Sequence, residues 1–168
     1  MNFVDKIGAV VTEVRAEYDS TNLLRPFYEY GHPIEIFNIL AQKSDSETFK
    51  YKKYPLIALY QDFKEHVVNG IVTVENCTIV IMTETNPNYE AKNRYLNTFT
   101  PTLIPIYDLF IEKLKGSSYL ASDDFYEHDK FDRLYWGKED TFGNSGNIGN
   151  DALDAVVISG LNLRIIKC

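Results

Sequence analysis

Cysteine, histidine and tryptophan are all scarce here: two, three and one in 168 residues. Two cysteines are too few for a disulfide-stapled scaffold. Cys77 lies inside an apolar run and Cys168 is the last residue, so a bridge would tie a core strand to a chain end. Idle thiols and a reducing compartment are the expectation. Metal chemistry is short of ligands, because no second histidine stands at ligand spacing from His32, His66 or His128. Long apolar runs are missing too. Nothing approaches the roughly 20 residues of a membrane helix. Residues 1–6 carry no basic region and no long apolar core, so no leader peptide is expected, and the sequon Asn76-Cys77-Thr78 is read as silent. Positive charge is in deficit: 17 Lys and Arg against 24 Asp and Glu leave a formal charge of −7, which repels phosphate and disfavours tight nucleic-acid binding.

Catalytic signatures are equally thin. No Gly-x-Ser-x-Gly elbow occurs. Gly143, Gly146 and Gly149 are regularly spaced, but no lysine follows them and the next segment reads as a strand, which is the wrong setting for a phosphate cradle. A flexible surface loop over 139–150 is expected instead. Glu127-His128-Asp129 with Asp132 has the residue types of a metal site or general base, weighed against a solvated or hydrogen-bonded histidine, which is preferred. Asp123-Asp124 and Asp151 with Asp154 are paired acids, but acid–base cleavage needs carboxylates across a cleft, which sequence neighbours rarely supply. Asp154, beside an apolar run, reads as a turn cap or as the partner of a basic residue on a neighbouring subunit. Lys50-Tyr51-Lys52-Lys53-Tyr54 is read as a solvated edge that discourages strand addition, with a local phosphate contact as the lesser reading. No catalytic, cofactor-binding or metal-binding residue is assigned.

Apolar and aromatic residues are plentiful, with 12 tyrosines and 10 phenylalanines. Rings cover much area at low entropic cost, a hint of self-association. The runs 54–60 and 77–82 are apolar on both residue parities, so each is expected as a central strand buried on both sides. Phe3, Val4, Ile7, Val10, Val11 and Val14 form a helical stripe capped by Asn2, broken by 19–22. Residues 27–33 read as an extended, turn-rich connector and 34–40 as a short helix. Residues 61–69 read as a charged connection ending in the turn Asn69-Gly70. A strand begins at Ile71, with a turn or bulge at Glu75-Asn76. Asn86-Pro87 and Thr100-Pro101 are helix starts. Residues 89–114 give two helices or one kinked near 99–101. Residues 119–136 show no period. Residues 155–158 and 161–166 form a final strand or pair, interrupted by Ser159-Gly160. The sum is one α+β domain over 1–168: a central, mostly antiparallel sheet with the N-terminal helix and the middle helical segment on one face.

Several runs carry a family resemblance: Tyr28-Glu29-Tyr30-Gly31-His32-Pro33, Tyr54 to Leu59, Asn93-Arg94-Tyr95 with Pro105-Ile106-Tyr107, Arg133 to Gly137, and Asn150 to Ala155. Together they resemble small structural proteins of tailed bacteriophages and prophages of the Bacteroidetes type, above all the tail-terminator (tail-completion) proteins of the head–tail neck. The resemblance implies a virion protein with no enzyme activity and no cofactor. It implies a sixfold or twelvefold ring of identical subunits, touching other neck and tail proteins around a channel through which DNA passes without sequence-specific binding, and no membrane. Candidate interface residues are Lys52, Lys53, Trp136, Asn147 and Asp154. The alternatives are another ring of a short phage tail, or a monomeric ligand-binding or enzymatic domain with a pocket around His128 and nearby acids.

Overall fold

Residues 56–60 are buried at every position, as a run apolar on both parities requires of a strand with cover on each side. The computed structural model describes residues 2–21, 25–136 and 151–166. Its elements are α1 (Phe3–Thr21), β1 (Phe27–Gly31), α2 (Pro33–Ser44), β2 (Leu56–Tyr60), β3 (Lys64–Val68), β4 (Ile71–Glu84) and α3 (Ala91–Arg94). A π-helical stretch Tyr95–Leu103 leads into α4 (Ile104–Gly116), followed by β5 (Leu120–Ala121), β6 (Asp129–Trp136) and β7 (Leu153–Ile165). The strands make one mixed sheet in the order β1-β2-β4-β7-β5, with β3 added to β4 and β6 to β7. Among the described residues only the β1–β2 pair is parallel. The class is α+β.

The long β4–β7 ribbon carries the sheet. Its upper half is flanked by β2 and β6, its lower half by β3 and β5. Between the halves the register slips on either side of Cys77. There Asn76 takes φ 58° and Gly160 φ 74°, and the Asn76 amide donates to the Asn162 side chain at 3.1 Å. Both expected interruptions are therefore bulges within continuous strands.

Alternate residues face two cores. On one side Ile57, Ile79, Ile81, Val156 and Ile158 meet the stripe of α1 (Ile7, Val10, Val14) and Phe99, Phe110 and Leu114 of the middle helices. On the other, Leu56, Ala58, Val80 and Ala155 pack under Ile36, Phe37 and Leu40 of α2. Placing the helices on one face alone thus needs correction: the even-numbered residues of β2 demand a second cover, and α2 supplies it.

Local chemistry sets the boundaries. Asn2 Oδ1 accepts from the Asp5 amide at 2.8 Å while the Asp5 carboxylate takes the Asn2 amide, and α1 then runs on to Thr21, past the expected break. The expected connector 27–33 is instead strand β1 followed by a capping box. His32 Nδ1 accepts from the Ile34 amide at 3.2 Å, Glu35 reaches back to the His32 amide, and Pro33 opens α2. In the middle helix Pro101 cannot sit against the carbonyl four residues back in an α-turn. The backbone widens instead, and the Ile104 amide bonds five residues back to Phe99. Residues 64–68 and 129–136, expected to be connection and aperiodic chain, are strands β3 and β6.

Candidate functional site

At the upper end of the sheet a polar cluster forms near Trp136 and Asp151. Arg94, from the end of α3, is fully buried opposite Asp154 of β7, with Nη1 2.7 Å from Oδ1. Its Nε donates to the Tyr89 carbonyl at 2.9 Å, and Nη2 to the carbonyls of Asn86 and Pro87 at 3.2 Å each. The Tyr135 ring stacks on the guanidinium at 3.6 Å and its hydroxyl donates to Pro87. The Tyr135 amide donates to Asp154 Oδ1 at 3.3 Å, while Oδ2 of that carboxylate has no hydrogen-bond partner among the described residues. A buried charge survives only when paired and hydrogen-bonded, so the turn at 86–89, which stands where a helix start was expected, is locked with α3, β6 and β7 at one point.

Beside it Lys53, nearly buried, donates to Asp151 at 2.6 Å and to the Ser44 hydroxyl at 2.7 Å. The Tyr54 hydroxyl donates to the same Asp151 oxygen at 2.8 Å. Burial, then the Asp151 charge, holds the Tyr54 phenol far above its ordinary value. Trp136 packs in the second core next to Tyr60, whose phenol is also raised by burial.

These contacts account for three of the expected interface residues in another way. Lys53, Trp136 and Asp154 are buried within the chain, and the basic partner of Asp154 is its own Arg94 rather than a neighbour's residue. Lys52 is exposed, its ammonium 5.4 Å from the Phe49 ring. Asn147 and the whole 139–150 loop lie outside the described residues, as does Cys168. Cys77 is buried and unbridged, and burial pushes its thiol up to about 12.

His128 borders an open concavity of about 260 Å³ lined also by Asp124, Glu127, Asp129, Ser159, Gly160 and Asn162. Both ring nitrogens are already engaged. Nδ1 donates to the Tyr126 carbonyl at 2.7 Å, so in the neutral ring Nε2 accepts from the Tyr107 hydroxyl at 2.8 Å. Bonds from the Ser122 hydroxyl and the Asn162 amide hold the Asp124 carboxyl below its usual range. No group of three His, Cys, Asp or Glu side chains is placed to hold a metal ion among the described residues. The next turn is strained: Phe125 and Tyr126 both adopt positive φ, 59° and 62°, and Phe125 stands 93% exposed.

A second exposed aromatic group follows α2. Phe49 and Tyr51 project from a turn closed by backbone bonds from the Phe49 and Lys50 amides to Ser46 and from the Lys52 amide to Phe49. Tyr51 is 78% exposed. The sequence marks the Lys50–Tyr54 run as a solvated edge without singling out Phe49 or Tyr51, assigns no role to Phe125, and carries Arg94 only within the family resemblance. No family model, curated protein or solved structure matches the chain, and no helix among the described residues is long and apolar enough to cross a membrane.

Proposed function

We propose that this chain is a structural protein of a tailed-bacteriophage virion that assembles as a ring in the neck or tail, in the manner of a tail terminator joining the tail to the head connector around the DNA channel. The reading rests on the resemblance spread along the chain. One observation supports it above the others: Arg94, Lys53 and Tyr54 spend their polar groups on fixing the chain to itself, while large rings stand exposed at separate places on the surface. Tyr51 and Phe125 arise from different segments and have different neighbours. A protein that works by shape puts its unspent side chains where copies meet, and two unlike patches give the head-to-tail contacts that close a ring by rotation. A net charge of −7 suits a lumen through which DNA slides without being trapped.

The test is native mass measurement across a wide concentration range, with electron microscopy of the largest species. A closed oligomer of sixfold or twelvefold count is expected. A monodisperse monomer at high concentration, with no ring in micrographs, sinks the reading.

A further inference from the structure

The two exposed aromatic groups differ in charge as well as place. The turn at 49–52 presents Phe49 and Tyr51 with Lys50 5.1 Å from the Tyr51 ring and Lys52 5.4 Å from the Phe49 ring. Neither lysine has a carboxylate partner among the described residues. The turn is rigid at its root, because the next residue, Lys53, is clamped to Asp151 and Ser44. It is therefore a preformed knob, apolar at its tip and cationic at its sides, and ordering it costs little on docking.

The concavity beside β7 is its complement. Glu127 and Asp129, both exposed, line it together with Asp124. Phe125 stands at the turn between Asp124 and Glu127, and two left-handed residues hold it out from the surface. Such conformations are costly for residues with side chains and persist only where the surroundings enforce them. Here Ser122 Oγ takes the Tyr126 amide at 3.0 Å and Asn162 holds Asp124 at 3.1 Å.

The geometry points to a head-to-tail contact in which the Phe49–Lys52 knob of one copy seats in the acid-lined concavity of the next, its lysines against Glu127 and Asp129 and its rings against Phe125. This deepens the ring reading and rests on it. Charge chooses the occupant. Copies carrying −7 repel one another as wholes, so a contact that sets cation against acid is favoured. At physiological salt the long-range repulsion is screened beyond about 8 Å while the close pairs remain. The knob before β2 and the concavity at the β7 bulge are different surfaces, so the contact is heterologous and propagates around a ring.

The experiment measures association of the full chain by sedimentation with two charge reversals: Lys50→Glu with Lys52→Glu on the knob, and Glu127→Lys with Asp129→Lys on the concavity. Each alone is expected to weaken assembly about a hundredfold, since like charges facing across an interface cost several kcal/mol. An equimolar mixture is expected to restore it, because each altered surface then meets its complement on the other variant. Circular dichroism verifies the fold. If a reversal unfolds the chain, the paired alanine variants take its place, with about tenfold weakening expected. Assembly unchanged by either reversal overturns this contact and leaves the ring standing. Dissociation without rescue in the mixture overturns the pairing of these two surfaces. A wild type that stays monomeric overturns both contact and ring. If that monomer retains a single-stranded oligonucleotide through Lys50 and Lys52, the knob faces nucleic acid instead.

Discussion

Arg94 shows how much one residue can hold. Four acceptors from two segments converge on its guanidinium, and a ring from a third closes the remaining face. Removing one partner of a buried pair leaves the other charged and unsolvated, at about 3–5 kcal/mol. Arg94→Met is therefore expected to destabilise by that amount in urea unfolding. Arg94→Met with Asp154→Leu should recover much of the loss, since an apolar pair leaves no stranded charge. A single variant indistinguishable from wild type would remove the pair from the account of stability. Little of this was legible in the sequence. Asp154 stood out as an acid beside an apolar run, but its partner lies 60 positions away, and nothing local marks Arg94 as buried. Lys53 was visible as one of a basic run. Its clamp to Asp151, 98 positions on, is fixed only when the sheet brings the start of β7 beside the start of β2.

Elements were readable where burial left a period. The stripe of α1, the all-apolar β2 and the turn Asn69-Gly70, both of whose residues take positive φ, follow from the sequence directly. The strands β3 and β6 did not. Every residue of β3 is exposed, and β6 is exposed until Trp136, so no alternation was imprinted on either. The helix expected over 34–40 begins one residue earlier, at Pro33, and runs on to Ser44; its cap is unobvious because histidine is not among the preferred N-caps, although His32, Pro33 and Glu35 together hold the device. The bulge between the sheet halves offers a clean test of backbone strain. Gly160 has φ 74°, and nothing lies within 4 Å of where a Cβ would stand. Gly160→Ala creates no clash, yet a left-handed residue with a side chain costs about 1–2 kcal/mol. A midpoint shift of that size in chemical denaturation is expected. No shift would mean that the bulge relaxes and that its conformation does not require glycine.

At the scale of the molecule, the sheet is sandwiched unequally, with α1 and the middle helices on one side and α2 on the other. The two cores share the central strands β2, β4 and β7, and beyond these each adds only one buried strand residue among the described residues, Leu120 of β5 or Trp136 of β6. Ile7→Ala in one core and Ile36→Ala in the other each remove a fully buried side chain. Each is expected to cost about 2–5 kcal/mol. Both should lower one common transition, coincident in near- and far-ultraviolet circular dichroism. Two separate transitions would show that the cores are independent units. The layer order was half legible: an all-apolar β2 requires two covers, but the sequence does not say which helix crosses to the far face.

One consequence concerns how the chain is made. The stripe of α1 rests on Val156, Ile158 and Leu161, and Lys6 reaches the Ile166 carbonyl at 3.4 Å. The helix thus packs against a strand made long after it, since Lys6 and Ile166 lie 160 positions apart. Until β7 leaves the ribosome, the apolar side of the first helix lacks much of its native cover, and β4 lacks the neighbour with which it forms its longest ladder. Such late-closing contacts slow folding and leave sticky surface open to other nascent chains. Yield in a foreign host will then depend on growth temperature and chaperone supply more than on the stability of the finished fold.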